Sequence, residues 1–286
     1  MKFSLSIFDY TFTNYKPMTS IHLSGIYIYP IKSAGGIALE EAQVSDRGLQ
    51  YDRRWMLVDE QGKFLTQRQF PSMALIQVRF GEGKLVVEAP HQPSLSVPLD
   101  YESNHRLRVQ VWNDICPAIP LDQQFSQWFS EFLHIPCQLV YMPEDSIRPI
   151  NPNYADPGEP VSFADGFPFL LISQASLQDL NQRLEQPVPM NRFRPNLVVS
   201  GCEAFAEDSW RHIRIGSIPF RVVKPCSRCT ITTVDQSQGI RGKEPLATLA
   251  NYRLRNGKIF LGQNVIQEQL GTLRIGDEVK IKNFGA

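Results

Sequence analysis

The sequence predicts a mainly β protein with some α (α+β class): two β-barrel-like halves carrying short helices. Three observations predict it. Short runs of β-branched and aromatic residues recur along the 286 residues, and Gly, Pro, Asn or Asp bounds each of them. Turn signatures separate several of the runs, and few long stretches carry helical periodicity.

The runs Gly25–Tyr29, Ile37–Val44, Arg54–Asp59 and Leu75–Phe80 read as strands, continued by Lys84–Glu88 and Leu107–Trp112. Glu60-Gln61-Gly62-Lys63 and Gly81-Glu82-Gly83-Lys84 read as hairpin turns. Strands at this spacing imply an antiparallel barrel or sandwich. Three helices interrupt it. In Gln123–Leu133, Phe125, Trp128, Phe129 and Phe132 fall at helical spacing behind Asp122, an N-cap residue type. Such an aromatic stripe is read as core packing. Ser173–Leu184 places Leu177, Leu180 and Leu184 on one face, with Ser173 or Ser176 as cap. Pro245–Tyr252 starts on a proline in its first turn and turns Leu246 and Leu249 inward. The proline-rich segment of residues 148–160 reads as a linker between an N-terminal half, 21–147, and a second half, 148–286.

Composition narrows the function. The 42% hydrophobic and 20% charged fractions are those of a soluble globular chain. With 29 basic and 29 acidic residues the formal net charge is zero, so no global field gathers nucleic acid or an anionic membrane. Anion binding must then come from local arginines and lysines. Met1–Thr19 lacks the layout of a signal peptide, and no run reaches the roughly 18 apolar residues of a spanning helix. Five cysteines, at 116, 137, 202, 226 and 229, are too sparse for a disulfide framework and point to a reducing cytoplasm.

The chemistry centres on Lys224-Pro225-Cys226-Ser227-Arg228-Cys229, followed by Thr230-Ile231-Thr232-Thr233-Val234, whose β-branched alternation reads as a strand. A thiol acts as ligand or nucleophile only as thiolate, a form that nearby cations favour. Three readings of the pair stand at this point. Zinc would need two further ligands, for which Cys202 and His212 are at hand. A redox CxxC should open a helix. Two buried core thiols are the ordinary alternative.

Cations and small polar residues elsewhere bear on the choice. Tyr29-Pro30-Ile31-Lys32-Ser33-Ala34-Gly35-Gly36 ends a strand with an ammonium, a hydroxyl and two glycines, a combination that suits an anion cradle. Asp52-Arg53-Arg54 opens another strand, where Asp52 offers an ordinary ion pair. Arg194 and Asn196 share one face of an extended run, and their donors suit phosphate or carboxylate oxygens.

Together these motifs resemble the MOSC family in its two-domain form with an N-terminal MOSC β-barrel domain, similar to the molybdenum-cofactor-dependent amidoxime-reducing enzymes. The resemblance runs from about residue 21 to 283. It passes through "YPIKSAGG" and "DRRWMLVDEQGKFLTQRQFP", then "FRPNLVVSG", "EDSW", "KPCSRCTITTVDQSQG", "KEPLATL" and "LGQN". It implies an oxidoreductase that reduces N-hydroxylated compounds (hydroxylamines, amidoximes) on a molybdenum cofactor. The alternative within the family is a cofactor carrier or sulfur-handling module. Cys229 is implied as catalytic residue and metal ligand. Lys32, Ser33, Arg53, Arg194, Asn196, Ser227 and Arg228, with Ser173 more weakly, are implied to hold the pterin and its phosphate. Cys226 is implied as a packing neighbour. Asp235 and His212 are possible proton carriers that nothing in the sequence brings to the metal. No ferredoxin-like C-terminal domain, four-cysteine cluster or membrane anchor is recognisable. A separate flavin, ferredoxin or cytochrome protein is therefore the expected electron donor.

Overall fold

The computed structural model describes residues 20–282. The segment Met1–Thr19 lies outside the described residues. The observed architecture is α+β, dominated by strands, with helices α1 (Gln123–Leu133), α2 (Gln174–Asn181) and α3 (Leu246–Arg253).

The largest sheet runs in the order Val279–Lys282, His212–Ile215, Ile218–Ser227, Lys258–Gln267, Phe169–Ser173, Leu197–Ser200, His22–Ile28, Ile37–Leu39, with Leu254–Arg255 beside Lys258–Gln267. Its pairs are antiparallel except Phe169–Ser173 with Leu197–Ser200, which run parallel. A parallel pair needs a crossover, and α2 supplies it. A second sheet orders Trp55–Val58, Gln138–Tyr141, Asp114–Pro120 and Leu107–Val111. Two three-stranded sheets complete the molecule.

The first strands of the chain are built into the second half. His22–Ile28 pairs with Leu197–Ser200, and Glu41–Ser45 pairs with Gly271–Arg274. One apolar cluster accordingly joins Leu23, Ile26 and Val44 to Leu171, Phe220 and Val265. A second packs Trp55, Leu57 and Ile76 against Trp128 and Phe129 of α1, so the aromatic stripe is core as expected. The cleft described below opens where these two bodies meet.

Two local expectations are corrected. Asp122 makes no side-chain cap to α1; its carboxylate accepts a 2.6 Å bond from the Tyr101 hydroxyl instead. In the proline-rich segment, Pro149 bridges Pro160, Ile150 N–H donates to Glu159 O, and Ile150 is buried with Val161 and Ile266. The run after Cys229 is a 3-10 turn, Thr230–Thr233, and the strand lies before the pair, at Ile218–Ser227. The hydroxyls of Thr232 and Thr233 explain this. They donate to the carbonyls of Cys229 and Thr230, three residues back, and that local bonding competes with a sheet ladder.

Candidate functional site

Chain order and pairing bring the two ends of the sequence together at one cleft. Cys229 follows the long strand Ile218–Ser227, whose last residue pairs with Phe260. Arg228 N–H donates to Ile259 O, and Thr232 N–H and hydroxyl both donate to the Cys229 carbonyl. Arg192, buried behind the turn, donates to Thr232 O and Glu244 O. The Cys229 backbone is therefore held from both sides. Its sulfur opens on the cleft, where Arg68 Nη1 donates to Sγ at 3.7 Å.

Cys226 also faces the cleft, with Arg228 Nη1 donating to its sulfur at 3.0 Å. The expectation of a packing neighbour is therefore corrected: Cys226 is partly exposed and belongs to none of the buried apolar clusters. Arg228 spends its other Nη on the Phe193 carbonyl at 2.6 Å, and its Nε is buried with no partner among the described residues.

The opposite wall carries the cations of the N-terminal half. Lys32 Nζ donates to Phe163 O at 2.7 Å and to Asp165 Oδ1 at 2.6 Å. Burial lowers the Lys32 ammonium from 10.5 to about 8, with Asp165 pulling the other way. Desolvation raises the Asp165 carboxyl, but the charge and hydrogen bond of Lys32, followed by Arg68 and Trp112, hold it well below the usual carboxylate range. Arg53 pairs with the buried Asp52 and donates to Asn196 Oδ1 at 3.0 Å. The guanidinium carbons of Arg53 and Arg194 lie 4.4 and 4.2 Å from the centroid of the Tyr29 ring. Burial pushes the Tyr29 phenol up to about 12, and burial lowers Arg194 to about 10. Arg194 Nη1 donates to Ala34 O at 2.7 Å.

Ser33, Arg53 and Arg194 all hold left-handed backbone, at φ 69°, 51° and 56°. Non-glycine residues adopt this region at a steric cost, and it concentrates at functional sites. Arg194 and Asn196 therefore do not share a strand face, contrary to expectation; the strand begins only at Leu197. Asn196 is 2% exposed and engaged through both side-chain atoms: Oδ1 accepts from Arg53 and from Leu170 N–H, and Nδ2 donates to Tyr27 O. It orients Arg53 more than it offers free donors.

Of the nine residues singled out from sequence, Lys32, Ser33, Arg53, Arg194, Asn196, Ser227, Arg228 and Cys229 line this cleft. Ser173 does not. It is buried at the start of α2, where its Oγ accepts from Ser176 N–H and its own N–H donates to Glu207 Oε1. Capping accounts for it. The two glycines of the Ser33–Gly36 turn also serve packing: a Cβ on Gly36 would lie 2.5 Å from the Tyr29 ring, and one on Gly35 would lie 2.9 Å from Ile76 O. Neither lines the cleft.

Asp235 accepts from the backbone of Ser237 and Gln238 and pairs with Arg192, as a turn residue does. His212 sits on the strand His212–Ile215, away from the cleft lining. Cys202 packs on the core, and no group of three or more His, Cys, Asp or Glu among the described residues is placed to hold a metal.

Sequence reasoning missed Arg68 and Asp165. Their signals were weak, a lone Arg in "TQRQFP" and an Asp before a glycine, and only the fold brings them to Cys229 and Lys32. The cleft has a cavity volume of about 140 Å³. It widens into an outer basin of about 800 Å³ walled by residues 148–158, Trp112, Phe167 and Lys224.

Residues 20–136 match the MOSC N-terminal beta barrel domain family, and residues 158–280 match the MOSC domain family. The chain is 37% identical over 273 residues to mitochondrial amidoxime-reducing component 1 of Mus musculus, covering 89% of this chain and 80% of that one. It is 36% identical to the Homo sapiens protein of the same name, covering 89% and 81%. It is 35% identical to molybdenum cofactor sulfurase of Oryza sativa subsp. japonica, covering 91% of this chain but 34% of the relative. A cleft that joins a thiol on the second half to cations on the first is thus found in a chain that belongs to the MOSC family, in its form with an N-terminal MOSC β-barrel domain.

Proposed function

We propose that this chain is a molybdenum-cofactor-dependent oxidoreductase that reduces N-hydroxylated compounds, hydroxylamines and amidoximes, to amines and amidines. The observation that carries the reading is the convergence on one cleft of an accessible thiol, Cys229, with cations from sequence-distant segments in a chain of zero net charge. The names of the relatives support the same class.

The residues present fit the cofactor. Its soft metal calls for a thiolate, and its phosphate calls for arginine and lysine. Arg228 Nε–H is a buried donor that lacks a protein acceptor among the described residues, as expected where a ligand oxygen completes it. Cys229 would hold the metal. Lys32, Ser33, Arg53, Arg194, Ser227 and Arg228 would hold the pterin and phosphate, with Asn196 fixing Arg53.

Bound there, the cofactor supplies the two-electron chemistry that removes oxygen from an N–O bond. For a hydroxylamine the balance is R–NH–OH plus two electrons and two protons, giving R–NH2 and water. Arg68, donating to the Cys229 sulfur, fixes the thiol's direction. Lys32 and Asp165 hold a charged pair beside the cleft. A separate flavin, ferredoxin or cytochrome protein supplies the electrons. The reading also includes the division into 21–147 and 148–286, and a reducing cytoplasmic setting, which five free cysteines support. No helix among the described residues is long and apolar enough to cross a membrane.

The match to a cofactor sulfurase favours a second reading, a cofactor carrier or sulfur-handling module without turnover. One experiment separates them. Protein purified from a molybdenum-replete host is subjected to metal analysis, then given a chemical reductant and benzamidoxime. Stoichiometric molybdenum with benzamidine formation is expected; molybdenum without turnover favours the carrier, and zinc in its place sinks both.

A further inference from the structure

Trp112 has no role in the cofactor site described above. It is the first of two turn residues between the strands Leu107–Val111 and Asp114–Pro120, and its φ is +57°. Hairpin turns place Gly, Asn or Asp at such angles, and a bulky side chain there is held against a steric cost. Nor does the indole fill the core, being 42% exposed.

Its contacts instead tie it to the cleft. The Arg68 guanidinium carbon lies 4.2 Å from the ring centroid, and the indole N–H donates to Asp165 Oδ1 at 3.1 Å. Phe64 meets the ring at 5.2 Å between centroids. Arg68 continues to the Cys229 sulfur, and Asp165 to Lys32. The indole is thereby fixed beside the junction of the inner cleft and the outer basin, with much of its surface free. The basin has further aromatic wall in Tyr154 and Phe167, edge to face at 5.7 Å, with the Lys224 ammonium 4.5 Å from the Tyr154 ring centroid.

We propose that Trp112 is a specificity residue: the platform on which the planar aryl group of an N-hydroxylated substrate stacks in the outer basin while its N–O group reaches the cleft at Cys229. This rests on the functional reading above. Aromatic rings gain from offset stacking beyond the area they bury, whereas an alkyl substituent of similar reach gains only the area. Arg68 and Asp165 act as positioning residues, keeping the indole in one orientation so that little freedom is lost on binding.

The test uses the cofactor-loaded protein with a chemical reductant and two substrates, benzamidoxime and acetamidoxime. Calorimetry on the oxidised protein gives binding without turnover. Trp112→Asn, a residue type that accepts the turn angle, should raise the KM and the calorimetric Kd for benzamidoxime about tenfold, with kcat and both acetamidoxime constants within about twofold. Trp112→Phe, which keeps a ring but not the N–H, should recover most of the loss. Equal losses on both substrates, or an unchanged Kd for benzamidoxime, overturn the proposal. So does a defect seen only with a protein electron donor, because the exposed Ile115 and Ile147 nearby would then make Trp112 part of a docking patch. If the wild type turns over neither compound yet binds benzamidoxime more tightly in a Trp112-dependent way, the platform stands and the reductase reading falls.

Discussion

The five cysteines divide into two environments, and the division separates packing from chemistry. Cys116 and Cys137 are buried among apolar side chains, and burial pushes both thiols up. Cys202 is less enclosed but packs on the core, where burial and then Glu207 push its thiol to about 11. These three are small hydrophobes. Cys226 and Cys229 open on the cleft, and each sulfur accepts an N–H from an arginine, Arg228 at 3.0 Å and Arg68 at 3.7 Å. The same side chain is packing in one setting and open to a ligand in the other, because access differs, and Cys229 is the one proposed to hold the metal.

The largest expected effect tests the cleft side of that comparison. Cys229→Ser replaces a soft donor with a hard one in the same fixed backbone position. Bound molybdenum should fall to background and N-reduction should disappear, while circular dichroism and the unfolding temperature stay near wild type. Retained stoichiometric metal would show that the ligand lies elsewhere, with Cys226 next in line.

Second in size is a pH effect set by Lys32. Burial holds its ammonium near 8 against an ordinary 10.5. The group is positive below about 8 and neutral above, so its attraction for a cofactor phosphate is full on the acid side and lost as pH rises through that value. Dialysis against a range of buffers, followed by metal analysis, should show retention weakening by about tenfold between pH 7 and 9, in keeping with the loss of one charge-assisted hydrogen bond. Lys32→Gln should be weaker at pH 7 and should lack the step. A step that persists in Lys32→Gln assigns the titration to another group.

How legible all this was depends on the range of the interactions. Gln123–Leu133 is helical as read from its aromatic spacing, since helical periodicity is a local property. The hairpin at Glu82-Gly83 is likewise set by turn chemistry. Eight of the nine candidate residues line one cleft, and they were singled out because their motifs occur together in the order the family resemblance implies. The backbone at three of them was not legible. Arg194 reads as extended from its neighbours, yet the hydrogen bond to Ala34 O and the stacking on Tyr29, both made by segments 160 or more residues away, accompany a left-handed conformation. Arg68, Asp165 and Trp112 were silent for the same reason. Each matters only through partners that the sheet pairing of His22–Ile28 with Leu197–Ser200 helps bring close. Ser173 failed in the opposite direction. A hydroxyl suited to an anion was already committed to capping α2 beside Glu207.

A smaller effect is expected within the cleft pair. Cys226 receives the Arg228 bond and faces the cavity, but its carbonyl and neighbours do not form the turn that fixes Cys229. Serine keeps an acceptor for Arg228, so Cys226→Ser should retain molybdenum and lower kcat/KM for benzamidoxime by only about threefold, a cost within that of one weakened hydrogen bond. If it matches Cys229→Ser in metal loss, the two sulfurs share the metal and the asymmetry between them fails.

The smallest effect lies on the buried side and makes the comparison sharp. Cys116 is 2% exposed in the cluster formed by Val109, Ala118 and Val140, and its pKa is raised chiefly by burial. Cys116→Ala removes one sulfur from a packed site and leaves a void smaller than a methylene pair. The cost should be about 1 kcal/mol of stability, read as a small fall in the unfolding midpoint. Molybdenum content, KM and kcat should not change, because no hydrogen bond connects this thiol to the cleft among the described residues. Loss of metal in Cys116→Ala would mean that packing in the second sheet governs the cleft from a distance, and that burial alone does not mark a cysteine as inert in this fold.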